Sequence, residues 1–163
     1  MASVLCLPLA ADFLPGQAQA QQGTGKVTFE TGALTLQTTD GKRHSFTIEL
    51  ALDSDQRAQG LMFRKSMAAD HGMLFDFGTT RRVMMWMKNT ILPLDMLFVS
   101  KEGRVETLHE NAVPQSEAII DSKVPVAYVL ELNAGTIKRL AITPGARLET
   151  PQIGPSAKPV EAD

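Results

Sequence analysis

Between residues 26 and 140 the chain alternates apolar and polar positions in short runs separated by turn residues. From Lys26 to Gln37 the alternation has a period of two, and Gly32 divides it into two short strand-like pieces. Asp40-Gly41 is a hairpin turn signal. In the run that follows, His44 to Leu52, Phe46, Ile48 and Leu50 share one face. Asp53 or Ser54 can cap a short helix through Ala58, which Gly60 ends or bends. Residues 67–72 read as an irregular segment ending in a turn. Strands are expected over Met73 to Phe77, Arg82 to Lys88 and Leu94 to Ser100, and again, past the turn at Lys101-Glu102-Gly103, over Arg104 to Val113. Val126 to Leu132 is a strong strand, Asn133 to Leu140 a helical turn, and Thr143-Pro144-Gly145 a turn before a last short strand. Strands outnumber helices and no βαβ rhythm appears. The expectation is a mainly β fold, a compact antiparallel barrel or sandwich with one or two short helices.

Composition narrows this without naming a reaction. A chain of 163 residues suits one domain with a real core. Sixteen basic residues against eighteen acidic ones, a net charge of −2, offer no electrostatic case for a nucleic-acid binder. Aromatics at 6% argue against a stacking platform for single strands. Residues 1–20 contain no Lys or Arg, carry an apolar run from Val4 to Ala10, and end in Ala18-Gln19-Ala20, a small-x-small cleavage pattern. They read as a signal peptide, although no basic n-region precedes the run and Asp12 and Pro15 interrupt it. The run is far shorter than the about 20 residues of a membrane span. The expected plan is a signal segment 1–20, a flexible lead-in 21–26, a single β-rich domain 27–150 and a loose tail 151–163, in a periplasmic or secreted protein with no membrane span in its mature chain. Cys6, the only cysteine, would leave with the signal, so no disulfide or thiol chemistry is expected.

Candidate chemistry gathers where charges interrupt apolar runs, because a buried charge must be paired or must do something. Arg82 to Lys88 is apolar on both faces, the pattern of a central buried strand. If it pairs with Leu94 to Ser100 as a hairpin, Lys88 and Asp95 meet across the turn, with Arg57 and Arg64 as other partners for Asp95. Glu131 repeats the theme on the strand after Val126. Two readings stand side by side: an ion-pair network that fixes the hairpin, and the polar floor of a cleft. Seven of the eight methionines fall between Met62 and Met96. Met is an adaptable core filler, but Met85 and Met87 alternate on one strand face as soft Cu(I) ligands would. His44, His71 and His109 have no metal-ligand spacing, and no serine sits in a nucleophile elbow.

Several phrases in order carry a resemblance. They are Arg57-Ala58-Gln59-Gly60-Leu61-Met62-Phe63-Arg64, Gly72-Met73-Leu74-Phe75-Asp76-Phe77, Trp86-Met87-Lys88-Asn89-Thr90, Pro93-Leu94-Asp95 with Phe98, and Val129-Leu130-Glu131-Leu132-Asn133-Ala134-Gly135. Together they resemble the bacterial and archaeal family called domain of unknown function 192, over about Phe46 to Glu149. The resemblance implies a compact, mainly β fold with a surface cleft in a small exported protein, and no established activity.

The reading that follows is a non-catalytic binding or accessory domain. Its cleft is expected from Trp86, Lys88, Asn89, Thr90, Asp95 and Glu131, with Arg57 and Arg64 at the rim. Trp86 supplies a flat apolar wall, and the cations hold a small anionic or hydroxyl-rich ligand. A periplasmic partner protein is the other candidate occupant; neither nucleic acid nor a cofactor is expected. Two alternatives stay open: a Cu(I)-handling protein using Met85 and Met87, and a hydrolase using Asp95 or Glu131.

Overall fold

The computed structural model describes residues 27–153. The expected signal segment, the lead-in and all but three residues of the expected tail lie outside them. Among the described residues the chain is mainly β, with nine strands and two short helices in the order β1 (Glu30–Gln37), β2 (Arg43–Ala51), α1 (Ser54–Gln59), β3 (His71–Arg81), β4 (Met84–Met85), β5 (Leu94–Val99), β6 (Val105–Ala112), β7 (Ile120–Asp121), β8 (Val126–Asn133), α2 (Thr136–Leu140) and β9 (Arg147–Glu149). Seven strands form one curled half-barrel sheet in the order β6-β5-β8-β3-β2-β1-β9. Neighbours run antiparallel except β2 and β3, which pair in parallel through α1 and residues 60–70. Backbone bonds from Val105 N–H to Ala146 O (2.9 Å) and from Leu148 N–H to Gly103 O (2.7 Å) bring the two edge strands together at one end.

Local chemistry explains the elements. Asp53 caps α1 in a capping box: its carboxylate accepts from the Gln56 N–H at 2.7 Å, and the Gln56 side chain accepts from the Asp53 N–H. Gly60 ends the helix at φ 47°, a conformation an L side chain adopts at a cost. The β1–β2 hairpin turns at Asp40-Gly41, where the Gly41 N–H bonds to Thr38 O at 2.9 Å. Gly32 does not divide β1, which runs unbroken from Glu30.

The sheet has an apolar cluster on each face. All seven strands contribute to the inner one, among them Leu36, Ile48, Leu74, Leu97, Val105, Leu130 and Leu148. The outer cluster uses the alternate residues of β3, β5 and β8 (Met73, Phe75, Met96, Phe98 and Val129) and is covered by Leu61, Val83, Met87 and Ile120. A strand turns successive side chains to opposite faces, so one sheet serves both.

One expected strand is corrected. Residues 82–88 do not form a central buried strand, and they do not pair with β5. Only Met84–Met85 is extended and paired, in a separate two-stranded sheet with Ile120–Asp121. Val83 and Met87 point into the outer cluster at 1% exposure each, while Met84 (68%) and Trp86 (46%) face solvent. The segment is a flap laid over the outer face. β5 pairs instead with β8 and β6.

Candidate functional site

Across the outer face, strand pairing sets Glu49, Met73, Glu131, Met96 and His109 in one lateral row. Glu131 lies at its centre, on β8, between two methionines with no exposed surface. Close strand approach fixes this point: a Cβ on Gly72 would fall 2.6 Å from the Glu131 carbonyl oxygen. The Glu131 side chain is 4% exposed and, among the described residues, receives neither a hydrogen bond nor an ion pair. Burial alone pushes its carboxyl up to about 8. At neutral pH it is mainly the protonated acid, a hydrogen-bond donor.

Above Glu131 opens a cavity of about 130 Å³. One wall is α1 and its exit, with Arg57, Gly60 and Met62. The other is the flap, with Met84, Met85, Trp86, Lys88 and Thr90, while Phe75 and Phe77 of β3 line the base. The Arg57 guanidinium is oriented by backbone carbonyls, donating to Leu52 O at 2.5 Å and Asp76 O at 3.0 Å. Burial raises the carboxyl of Asp76, opposed by the Gly78 N–H and by the charge of Arg57. Lys88 sits 5.2 Å from the Trp86 ring centroid, a cation–π contact at the mouth. The buried Thr90 hydroxyl donates to Lys88 O at 3.2 Å and steadies that turn.

The structure therefore brings together Arg57, Trp86, Lys88, Thr90 and Glu131, and places three other expected members elsewhere. Asp95 points to the inner face of the sheet, beside Leu97 and Val99. Its carboxylate accepts from the Asn111 N–H at 2.9 Å, across a register shift between β5 and β6, and from the Ile137 N–H at 2.8 Å. The expected Lys88–Asp95 pair across a hairpin does not form, because the flap and β5 are not neighbours. Arg64 does not pair with Asp95 either. It makes a bidentate pair with Glu49 in the lateral row, two strands from Glu131, a backbone separation of about 10 Å. Asn89 does not line the cavity but ties its walls together. Its carbonyl accepts from the Phe63 N–H at 2.9 Å, and its amide lies 3.8 Å from the Met62 sulfur.

An acid–base pair of Asp95 and Glu131 has the sheet between its members. Met85 and Met87, the expected soft-metal pair, differ in access: Met87 is sealed in the core and Met85 is half-buried at the cavity wall. Sequence reasoning missed Gly60, Met62, Phe75, Phe77 and Met84 as lining residues. The signal was there in the Gly60-Leu61-Met62 and Gly72-to-Phe77 phrases, whose apolar content reads as core until the cavity between them is seen.

Comparison with known proteins bears on this geometry. The family described as uncharacterized ACR, domain of unknown function 192, matches residues 35–150, and the chain belongs to it. A solved structure from Sinorhizobium meliloti, described as a candidate transcription regulator, is 64% identical, with a TM-score of 0.76 over 77% of this chain and 98% of its own. A protein of unknown function from Novosphingobium aromaticivorans is 40% identical, with a TM-score of 0.69 over 72% of this chain and 83% of its own. No curated protein matches the chain.

Proposed function

We propose that this member of an uncharacterized family is an exported, non-catalytic binding domain. Its ligand is a small organic molecule with an anionic or hydroxyl-bearing end and an apolar remainder. The observation that carries the reading is Glu131: a carboxyl without a partner, held at the base of an open cavity. Burial among apolar side chains disfavours its ionised form, and a carboxyl held in that state where a cavity reaches it is a candidate for use. The protonated acid donates to a ligand oxygen, Lys88 and Arg57 supply positive potential above it, and Trp86, Met84 and Met85 cover the apolar part. A volume of about 130 Å³ restricts the ligand to a few heavy atoms or to one inserted end. Export rests on the pattern of residues 1–20 alone.

The regulator description of the Sinorhizobium protein is not carried over. Among the described residues the two helices, of six and five residues, supply no recognition helix.

The test is a titration of small hydroxy acids, carboxylates and polyols, followed by fluorescence of Trp86, the only tryptophan, at pH 6 and pH 9. A hit is expected to weaken as Glu131 ionises near pH 8. In Glu131→Gln, which keeps a donor, the affinity is expected to persist without that pH step. Lys88→Ala should weaken anionic hits about tenfold or less, as for one charge-assisted contact. Hits that bind Lys88→Ala and Glu131→Gln with wild-type affinity and wild-type pH profile would remove the cavity from consideration.

A further inference from the structure

Seven large apolar side chains are exposed among the described residues, and all fall in three segments on the flap side of the molecule. Phe63 (62%) follows α1 and the Gly60 bend. Met84, Trp86 and Ile91 belong to the flap and its exit. Val113, Ile119 and Val124 flank β7. Backbone bonds lace the segments into one cap: Phe63 N–H to Asn89 O (2.9 Å), Met87 N–H to Ser116 O (2.9 Å) and Gln115 N–H to Thr90 O (3.0 Å), with β4 paired to β7. Scattered exposed apolar residues need no explanation, but a concentration on one side marks an interaction surface.

The charge of the cap identifies what it meets. In a chain of net charge −2, residues 63–65, 81–91 and 113–124 hold six cations (Arg64, Lys65, Arg81, Arg82, Lys88, Lys123) and two acids (Glu117, Asp121). Arg64 is engaged by Glu49 and Arg82 by Asp121. That leaves four cations, without a carboxylate partner among the described residues, against Glu117. Three of the four are lysines, a residue depleted from protein–protein interfaces and attracted to anionic lipid surfaces. Five of the seven exposed apolar side chains are aliphatic or thioether. Such groups gain nothing against phosphates or base faces, whereas acyl chains accept them.

We infer that the cap docks the protein peripherally on anionic lipid surfaces, with Phe63, Trp86 and Ile119 entering the acyl boundary and Lys65 and Lys123 against the headgroups. This goes beyond the cavity reading, since Phe63, Lys65, Ile119 and Lys123 do not line the cavity.

The experiment is co-sedimentation of the full chain with vesicles of equimolar phosphatidylglycerol and phosphatidylcholine, against phosphatidylcholine alone. Residues 1–26 are common to every variant, so differences between variants report the cap. Wild type is expected to sediment with the anionic vesicles, with a blue shift of Trp86 emission. Lys65→Glu/Lys123→Glu, on exposed side chains, should lower partitioning at least about tenfold, and Phe63→Ser/Ile119→Ser comparably. Both double variants should titrate with cavity ligands as wild type does, so the two readings fail separately. Equal partitioning of wild type and the charge-reversal variant overturns the inference. So does tighter binding to single-stranded oligonucleotide than to vesicles, or burial of Trp86 by self-association without lipid.

Discussion

Asp95 and Glu131 are buried carboxyls on neighbouring strands of the same sheet, in near-identical apolar surroundings, yet they face opposite ways and differ in what they touch. Asp95 looks inward and accepts two backbone N–H groups that would otherwise be orphaned, one beside the β6 bulge and one in the first turn of α2. Glu131 looks outward between Met73 and Met96 and accepts nothing among the described residues. The contrast separates a buried carboxyl that serves the frame from one that serves a site. Burial is common to both; satisfaction is not. The partnered carboxylate joins β5, β6 and α2, and the unpartnered one is left facing a cavity.

The largest expected effect falls on the partnered side. Asp95→Ala removes the acceptor of two hydrogen bonds to a carboxylate, each worth about 1.5–3 kcal/mol, and leaves two N–H groups unsatisfied. Urea denaturation is expected to show a loss of about 4 kcal/mol, with Asp95→Asn intermediate because its amide can satisfy only one donor. A loss below about 1 kcal/mol in the alanine variant would mean that solvent replaces the carboxylate, and the contrast between the two faces would collapse.

Only part of this contrast could be read along the chain. A cap at Asp53 or Ser54 and the Asp40-Gly41 turn were legible because each depends on residues within four positions, although the reciprocal bond from Gln56 that selects Asp53 was not read. Strand parity was legible too: Asp95 falls with Leu97 and Val99, and Glu131 with Val129. What parity leaves open is how the parity of β5 relates to that of β8, some thirty residues later. A slip of one residue in that pairing would put both carboxyls on one face, and the register is decided by the packing of the whole sheet. The flap shows the same boundary of local reasoning. Val83, Met85 and Met87 alternate with Met84 and Trp86, and such a run satisfies a central strand as well as a cover whose outer side is wet. The site residues that depend on local turns, Lys88 and Thr90, were found. Those that depend on the partners of β5, Asp95 above all, were misplaced.

The next effect sharpens the unpartnered side and has an unambiguous sign. The folded carboxyl of Glu131 titrates at about 8 against an ordinary 4.5. On raising pH the unfolded chain therefore releases this proton first, so the folded state loses stability from about pH 4.5 to about pH 8 and no further from this group beyond it. Glu131→Gln should abolish that slope. Relative to the variant, wild type is expected to lose on the order of 4 kcal/mol between pH 5 and pH 9, from about 1.4 kcal/mol for each unit of displacement between pH 5 and about 8. Denaturation at pH 5, 7 and 9 checks it. Parallel profiles for the two proteins would mean that Glu131 finds a partner in solution and is no different in kind from Asp95.

The smallest effect separates the two faces most cleanly. Trp86 covers the cavity mouth, but nearly half its surface is exposed, and its cation–π contact with Lys88 is worth about 0.5–1 kcal/mol at such a site. Trp86→Ala is therefore expected to reduce stability by about 1 kcal/mol, several times less than Asp95→Ala, when unfolding is followed by far-ultraviolet circular dichroism. The same substitution removes the apolar wall against which a cavity ligand would lie, so calorimetric affinity for any hit should fall about tenfold or more. A large stability loss with unchanged affinity would invert the assignment: the flap would then be part of the frame and the cavity a packing defect. A small loss with lost affinity makes the exposed side of the flap a binding wall, distinct from the buried Val83 and Met87 that hold the flap to the sheet.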